Sequence, residues 1–103
     1  MNYTNKVVVI TGATSGIGEA CAAVFGAAGA QLVITGRNAQ KLEATAAKLQ
    51  AMNLTVLPLL ADAGSEADNK RMAEEAIARF GRIDILINNA GISMRALFQD
   101  LDL

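Results

Sequence analysis

The densest chemical signal in this 103-residue chain is the run Thr11-Gly12-Ala13-Thr14-Ser15-Gly16-Ile17-Gly18. It lies between a short β-branched run, residues 6–10, and a segment in which Ile17, Ala20, Cys21, Val24 and Ala28 recur at helical spacing. Glycine between a strand and a helix serves a tight turn, close approach of a phosphate to backbone, and close helix–strand packing. Free N–H groups and the positive end of the helix dipole then face an anion. A glycine-rich turn with a purely structural role is the alternative, and the placement directly between strand and helix favours the phosphate. The Gly-x-x-x-Gly-x-Gly spacing matches neither the Gly-x-Gly-x-x-Gly fingerprint nor a P-loop, so phosphoryl transfer is disfavoured.

Composition removes other chemistries. With no His and one Cys, a His/Cys zinc site, a Cys–His nucleophile and an internal disulfide are excluded. Cys21 sits in an apolar stretch and reads as a small core residue, best suited to a reducing cytoplasm. Nine Lys+Arg against ten Asp+Glu, interspersed, argue against nucleic acid or an anionic membrane as partner. A hydrophobic fraction of 52% indicates one compact folded domain over residues 1–103. The longest charge-free stretch, residues 20–36, is broken by Gly26, Gly29 and Gln31. Two ordinary elements explain it better than a membrane span. The apolar run 7–10 is too short for a signal-peptide core.

The elements that must position the turn alternate in period. Strands are expected at 6–10, 31–35, 54–60 and 83–87. The first helix leaves the glycine turn and ends at Gly29. The second starts from an Asn38 N-cap and buries Leu42, Ala46 and Leu49. A Ser65–Asp68 capping box opens the third, which runs to Phe80 and stops at Gly81. Its exposed face offers the pairs Glu66–Lys70 and Glu75–Arg79 over an apolar stripe of Met72, Ala76 and Phe80. Residues 88–91 read as a loop, and 92–103 give no clear element. Apolar strands joined by helical crossovers make an α/β fold, a doubly wound parallel sheet with helices on both faces. Pro58 lacks a ladder donor and belongs on an edge strand, which strand order 3-2-1-4 provides.

In these features the chain resembles the N-terminal portion of the short-chain dehydrogenase/reductase family, classical type. The resemblance rests on residues 11–18, on Asp62 after the third strand, and on Asn88-Asn89-Ala90-Gly91 after the fourth. It spans nearly the whole chain and implies a partial Rossmann domain holding a nicotinamide dinucleotide. Gly12, Gly16 and Gly18 would hold the pyrophosphate and ribose, with the Ile17 backbone near the nicotinamide side. Asp62 would meet the adenine amino group. The backbone of Asn89, Ala90 and Gly91 would line the adenosine ribose, and the Asn-Asn-Ala-Gly segment would brace the sheet. An NAD site usually ends its second strand with an acid that bonds the ribose 2′-hydroxyl. In the family pattern that position falls on Gly36, followed by Arg37. Arginine can grip a 2′-phosphate through two parallel hydrogen bonds where a carboxylate would repel it. NADP(H) is therefore expected over NAD(H). Ser15 is expected to help, but it stands where many NADP-preferring relatives carry a second basic residue, so a moderate preference for NADP(H) is expected.

Hydride transfer to a carbonyl also needs a proton donor. The family supplies a Tyr-x-x-x-Lys pair and a Ser, supported by an Asn. Here Tyr3 is followed four residues later by Val7, and Lys6 is at the wrong spacing. Ser93 follows the Asn-Asn-Ala-Gly loop where the family's serine follows a later strand, and Asp84 reads as a strand-start residue. No residue carries over as catalytic, and the chain alone is expected to be inactive. One reading is the NADP(H)-binding part of a carbonyl/alcohol oxidoreductase. Another is a non-catalytic, self-associating scaffold. A flavodoxin-like signalling domain would want an acidic cluster or flavin loop at the strand ends, and neither is evident. An uncapped fourth strand would leave an apolar edge. Only the third helix covers its face, with Leu97, Phe98, Leu101 and Leu103 available to fold over it. A homodimer or higher species is expected through that strand or face.

Overall fold

The computed structural model describes residues 2–89, so the expectations at Ala90, Gly91, Ser93 and the apolar residues beyond lie outside the described residues. The elements are β1 (Val7–Thr11), α1 (Gly16–Ala27), β2 (Gln31–Gly36), α2 (Ala39–Ala51), β3 (Val56–Leu60), α3 (Glu66–Phe80) and β4 (Ile85–Asn88). All pairings are parallel and the sheet order is β3-β2-β1-β4, the order expected. Pro58 lies on edge strand β3 opposite Ile34, where its missing N–H breaks no ladder to an outer neighbour.

Strand alternation divides the core. Val8, Ile10, Leu32 and Ile34 face Ala22, Leu42, Ala46 and Leu49 from α1 and α2. Val7, Val9 and Val33 face Met72 and Ala76 from α3. The second layer is thin, because among the described residues α3 alone covers it. Leu86, in register with Val9 on that side, remains 58% exposed.

Helix α1 departs from the periodicity. Of the set Ile17, Ala20, Cys21, Val24 and Ala28, Ile17 is 41% and Val24 54% exposed, whereas Cys21 is half-buried and packs against the core. The buried face is Gly18, Ala22 and Gly26. A Cβ on Gly18 would stand 2.6 Å from the Gly12 carbonyl oxygen and 2.7 Å from Ala13 Cα, and one on Gly26 would meet the Leu54 and Leu32 side chains. Close approach of helix to strand selects the smallest residues at the contact, and Ile17 and Val24 turn outward while Phe25 packs against the core.

Two of the three helices start on the caps expected. Asn38 Oδ1 accepts from the Lys41 N–H at 3.0 Å, and Leu42, Ala46 and Leu49 are buried. Ser65 Oγ accepts from the Asp68 N–H at 3.2 Å, but the capping box is only half formed. The Ser65 N–H goes to the Asp62 carbonyl, and the Asp68 carboxylate instead accepts from the Asp62 N–H at 2.8 Å. Nor do the expected pairs along α3 form. Arg71 takes both Asp68 and Glu75 and donates to the Leu60 carbonyl at 2.6 Å, tying α3 to the end of β3. Gly81, at φ 82°, closes the helix in the left-handed conformation.

β4 starts at Ile85, two residues later than expected, because Asp84 joins β1 through both its backbone and its side chain. Its N–H donates to the Val7 carbonyl at 2.9 Å, and its carboxylate accepts from the Val7 N–H at 2.8 Å. Arg82 donates to the same carboxylate at 2.6 and 3.0 Å. The Val7 amide and then Arg82 hold the Asp84 carboxyl below its ordinary pKa. A depressed folded-state pKa stabilises above the unfolded value, and that contribution is lost as pH falls through the folded one. The urea midpoint of wild type is thus expected to exceed that of Asp84→Asn most at neutral pH, the gap closing below about pH 4. A gap that stays constant to pH 2 would show that the charge is not what matters.

Candidate functional site

Because every strand is parallel, Thr11, Gly36, Leu60 and Asn88 end at one edge of the sheet. The segments that follow them surround an open cavity of about 540 Å³ at the carboxyl ends of the strands. Open α/β sheets place ligands there, where neighbouring crossovers leave in opposite directions. Here the divergence falls between β1 and β4, since α1 and α3 lie on opposite faces.

The first wall is the glycine turn. Gly12 adopts φ 63°, which a side chain would strain. Ser15 is the N-cap of α1: its Oγ accepts from the Gly18 N–H at 3.2 Å and donates to the Gly12 carbonyl at 3.1 Å. The helical ladder begins with the Glu19 N–H to the Ser15 carbonyl, so the Gly16 and Ile17 amides have no acceptor within the helix. Nothing lies within 4 Å of where a Gly16 Cβ would be, which leaves that approach open. The Ala13 N–H donates to the Thr35 carbonyl at 3.0 Å and anchors the turn to β2.

A second anchor comes from β4. Asn89 Nδ2 donates to Ser15 Oγ at 2.7 Å and to the Gly12 carbonyl at 3.2 Å. The Asn89 N–H donates to Thr11 Oγ1 at 3.1 Å, and that hydroxyl donates to Asn88 Oδ1 at 2.9 Å. The two asparagines thus stitch the end of β4 to the end of β1 and to the turn. The remaining wall combines Arg37, Asn38 and Lys41 after β2 with residues 61–64 after β3. Asp62 Oδ1 accepts from the Gly64 N–H at 2.9 Å. Among the described residues the ion pairs join Glu19 to Lys48, Arg71 to Asp68 and Glu75, and Arg82 to Asp84, so Arg37 and Lys41 carry unneutralised charge.

Of the residues expected at a cofactor site, Gly12, Ser15, Arg37, Asp62 and Asn89 line this cavity. Gly16 and Ile17 sit exposed on the first turn of α1, and Gly18 is buried beneath the turn. Ala90 and Gly91 lie outside the described residues. Lys41 and Thr14 line the cavity without having been singled out. The Asn38 cap was a signal for Lys41, since it fixes that residue in the first turn of α2. Thr14 leans over Gly36, whose Cβ would be 3.0 Å from Thr14 Cγ2. An acidic side chain at position 36 would therefore have to displace it.

This geometry has counterparts. The sequence model of the short chain dehydrogenase family matches residues 6–103. The chain belongs to the short-chain dehydrogenase family. Among its relatives, dehydrogenase/reductase SDR family member 7B of Bos taurus is 50% identical over 105 residues, covering 93% of this chain and 31% of that protein. The 11-beta-hydroxysteroid dehydrogenase-like 2 protein of Arabidopsis thaliana is 39% identical over 102 residues, covering 96% and 32%. This short-chain dehydrogenase sequence thus spans about a third of the length of those relatives. A hydroxysteroid dehydrogenase from Escherichia coli superposes with a TM-score of 0.84 at 34% identity, over 88% of this chain and 39% of that one. A metagenomic short-chain oxidoreductase in complex with NADP gives 0.80 at 35% identity, over 86% and 40%. The short-chain dehydrogenase fold is a Rossmann fold, and the described residues hold four strands of its sheet. Among the described residues no cluster of His, Cys, Asp or Glu could hold a metal ion, and no helix is long and apolar enough to cross a membrane.

Proposed function

We propose that this chain holds NADP(H) and supplies the dinucleotide-binding part of an oxidoreductase acting on a carbonyl or alcohol. The observation that carries the reading is Arg37, without an ion-pair partner among the described residues, following Gly36 on the wall of the same cavity as the glycine turn. The Gly16 and Ile17 amides are oriented for the pyrophosphate, with Gly12 and Gly18 allowing its close approach. Arg37 receives the 2′-phosphate. Asp62 keeps one carboxylate oxygen on Gly64 and offers the other to the adenine amino group. Asn89, with Ala90 and Gly91, takes the adenosine ribose. When bound, the nicotinamide supplies or accepts the hydride; this chain's residues hold and orient the dinucleotide, and we assign none of them to proton transfer. The NADP complex of the metagenomic oxidoreductase supports the cofactor class.

Calorimetric titration tests the proposal. NADPH is expected to bind more tightly than NADH. Equal affinities would remove the phosphate preference, and no binding of either would leave a scaffold. A second reading, self-association, draws support from the exposed Leu86 on β4, which among the described residues pairs only with β1. Light scattering is expected to show a dimer or larger species, and a monomer at high concentration would refute it.

A further inference from the structure

The sequence expectation left the second contact to the dinucleotide's 2′-phosphate with Ser15, and the geometry leaves that hydroxyl nothing to offer. Its one proton goes to the Gly12 carbonyl, and its two acceptor positions are taken by the Gly18 N–H and Asn89 Nδ2. That is the full capacity of a serine side chain. A new bond from Ser15 would have to break one that shapes the turn.

We propose that Lys41 is the second cation of this subsite, acting beside Arg37 on the 2′-phosphate; the inference rests on the NADP(H) reading above. Both side chains line the same cavity, and neither has an acidic partner among the described residues. The first turn of α2 carries no acid, whereas α1 has Glu19 and α3 has Glu66 and Asp68 in theirs. Asp62, on the same wall, has one oxygen on the Gly64 amide and pairs with neither cation. Two like charges on one wall, neither of them ion-paired among the described residues, suit a ligand that brings its own charge. A phosphate monoester carries about −1.5 to −2 charge at neutral pH, more than one guanidinium neutralises. The roles differ in kind: Arg37 presents a planar fork for two parallel bonds, and Lys41 adds a mobile point charge. A ribose 2′-hydroxyl has no charge for Lys41 to meet, so Lys41 becomes a specificity-determining residue.

The test compares NADPH, NADH, adenosine 2′,5′-bisphosphate and AMP as titrants of the full chain and its Lys41→Met, Lys41→Arg and Arg37→Ala variants. Lys41→Met is expected to weaken NADPH and the bisphosphate roughly three- to tenfold at low salt, the loss shrinking as salt screens the pair. NADH and AMP should be unchanged, and Lys41→Arg should restore wild-type binding. Lys41 is exposed and its side chain has no ion-pair partner among the described residues, so circular dichroism should not change. If wild type prefers NADPH, Arg37→Ala abolishes the preference and Lys41→Met does not alter it, the Lys41 assignment fails while the NADP(H) reading stands. An equal loss for NADPH and NADH in Lys41→Met also overturns it. If wild type binds neither dinucleotide, the parent reading falls and this one with it.

Discussion

Gly18→Ala is expected to lower the melting temperature of the chain by roughly 10–30 °C. The added Cβ would lie 2.6 Å from the Gly12 carbonyl oxygen, 2.7 Å from Ala13 Cα and 2.9 Å from Asn89 Nδ2. Two of those atoms are backbone, so no rotamer change relieves the contact. Helix α1 must back away from β1 or the turn must open. Overpacking of this kind costs about 1–3 kcal/mol. Either motion also pulls Ser15 Oγ off the Gly18 N–H, and losing an N-cap costs about 1 kcal/mol more. Thermal denaturation followed by circular dichroism provides the measurement, with Gly16→Ala as control. At Gly16 a Cβ meets nothing within 4 Å and the backbone is ordinary helix, so that variant should melt with wild type. If the two alanine variants melt together, the turn yields at no cost, and the tight contact is not what requires glycine.

Arg37→Ala is expected to weaken NADPH binding roughly ten- to a hundredfold while leaving NADH unchanged. The lost interaction is a charge-assisted hydrogen bond worth about 1.5–3 kcal/mol. The mutated side chain is exposed and makes no ion pair among the described residues, so the fold should not register the change. Parallel titrations of both dinucleotides decide it. A common loss would point to a general weakening of the cavity and would sink the phosphate assignment. Arg37 and Lys41 would serve one phosphate, so their joint removal should cost less than the sum of the separate losses.

The elements that local chemistry controls were readable in the residues. Asn38 and Ser65 opened their helices because a cap needs only one side chain and an amide three residues on. Pro58 placed β3 at the edge because a missing donor is a fact of one residue, and sheet order followed. The face of α1 was misread for a physical reason. Periodicity weighs hydrophobicity, while the burial of Gly18, Ala22 and Gly26 follows from how closely two backbones approach. Arg71 chose Asp68, Glu75 and the Leu60 carbonyl because the end of β3 comes within its reach, which helical spacing alone cannot show. The same distinction runs through the site. Arg37 and Asp62 could be located from their places at strand ends, but Lys41 joins the cavity only once α2 is oriented. The saturation of Ser15 depends on Asn89, which comes from the other end of the described chain.

That last bond spans 74 residues, and it bears on the order in which the chain acquires its parts. β1, α1 and β2 are neighbours in sequence and can assemble with short loop closures. β4 must return to the opposite side of β1 across a far longer loop, and non-local pairing of this kind is slow to form. A nascent chain that has delivered α3 but not Asn89 therefore holds a glycine turn with its serine cap in place and its clamp missing. The turn that follows β1 is clamped only after β4, so the dinucleotide capture proposed above belongs to the end of synthesis of this segment.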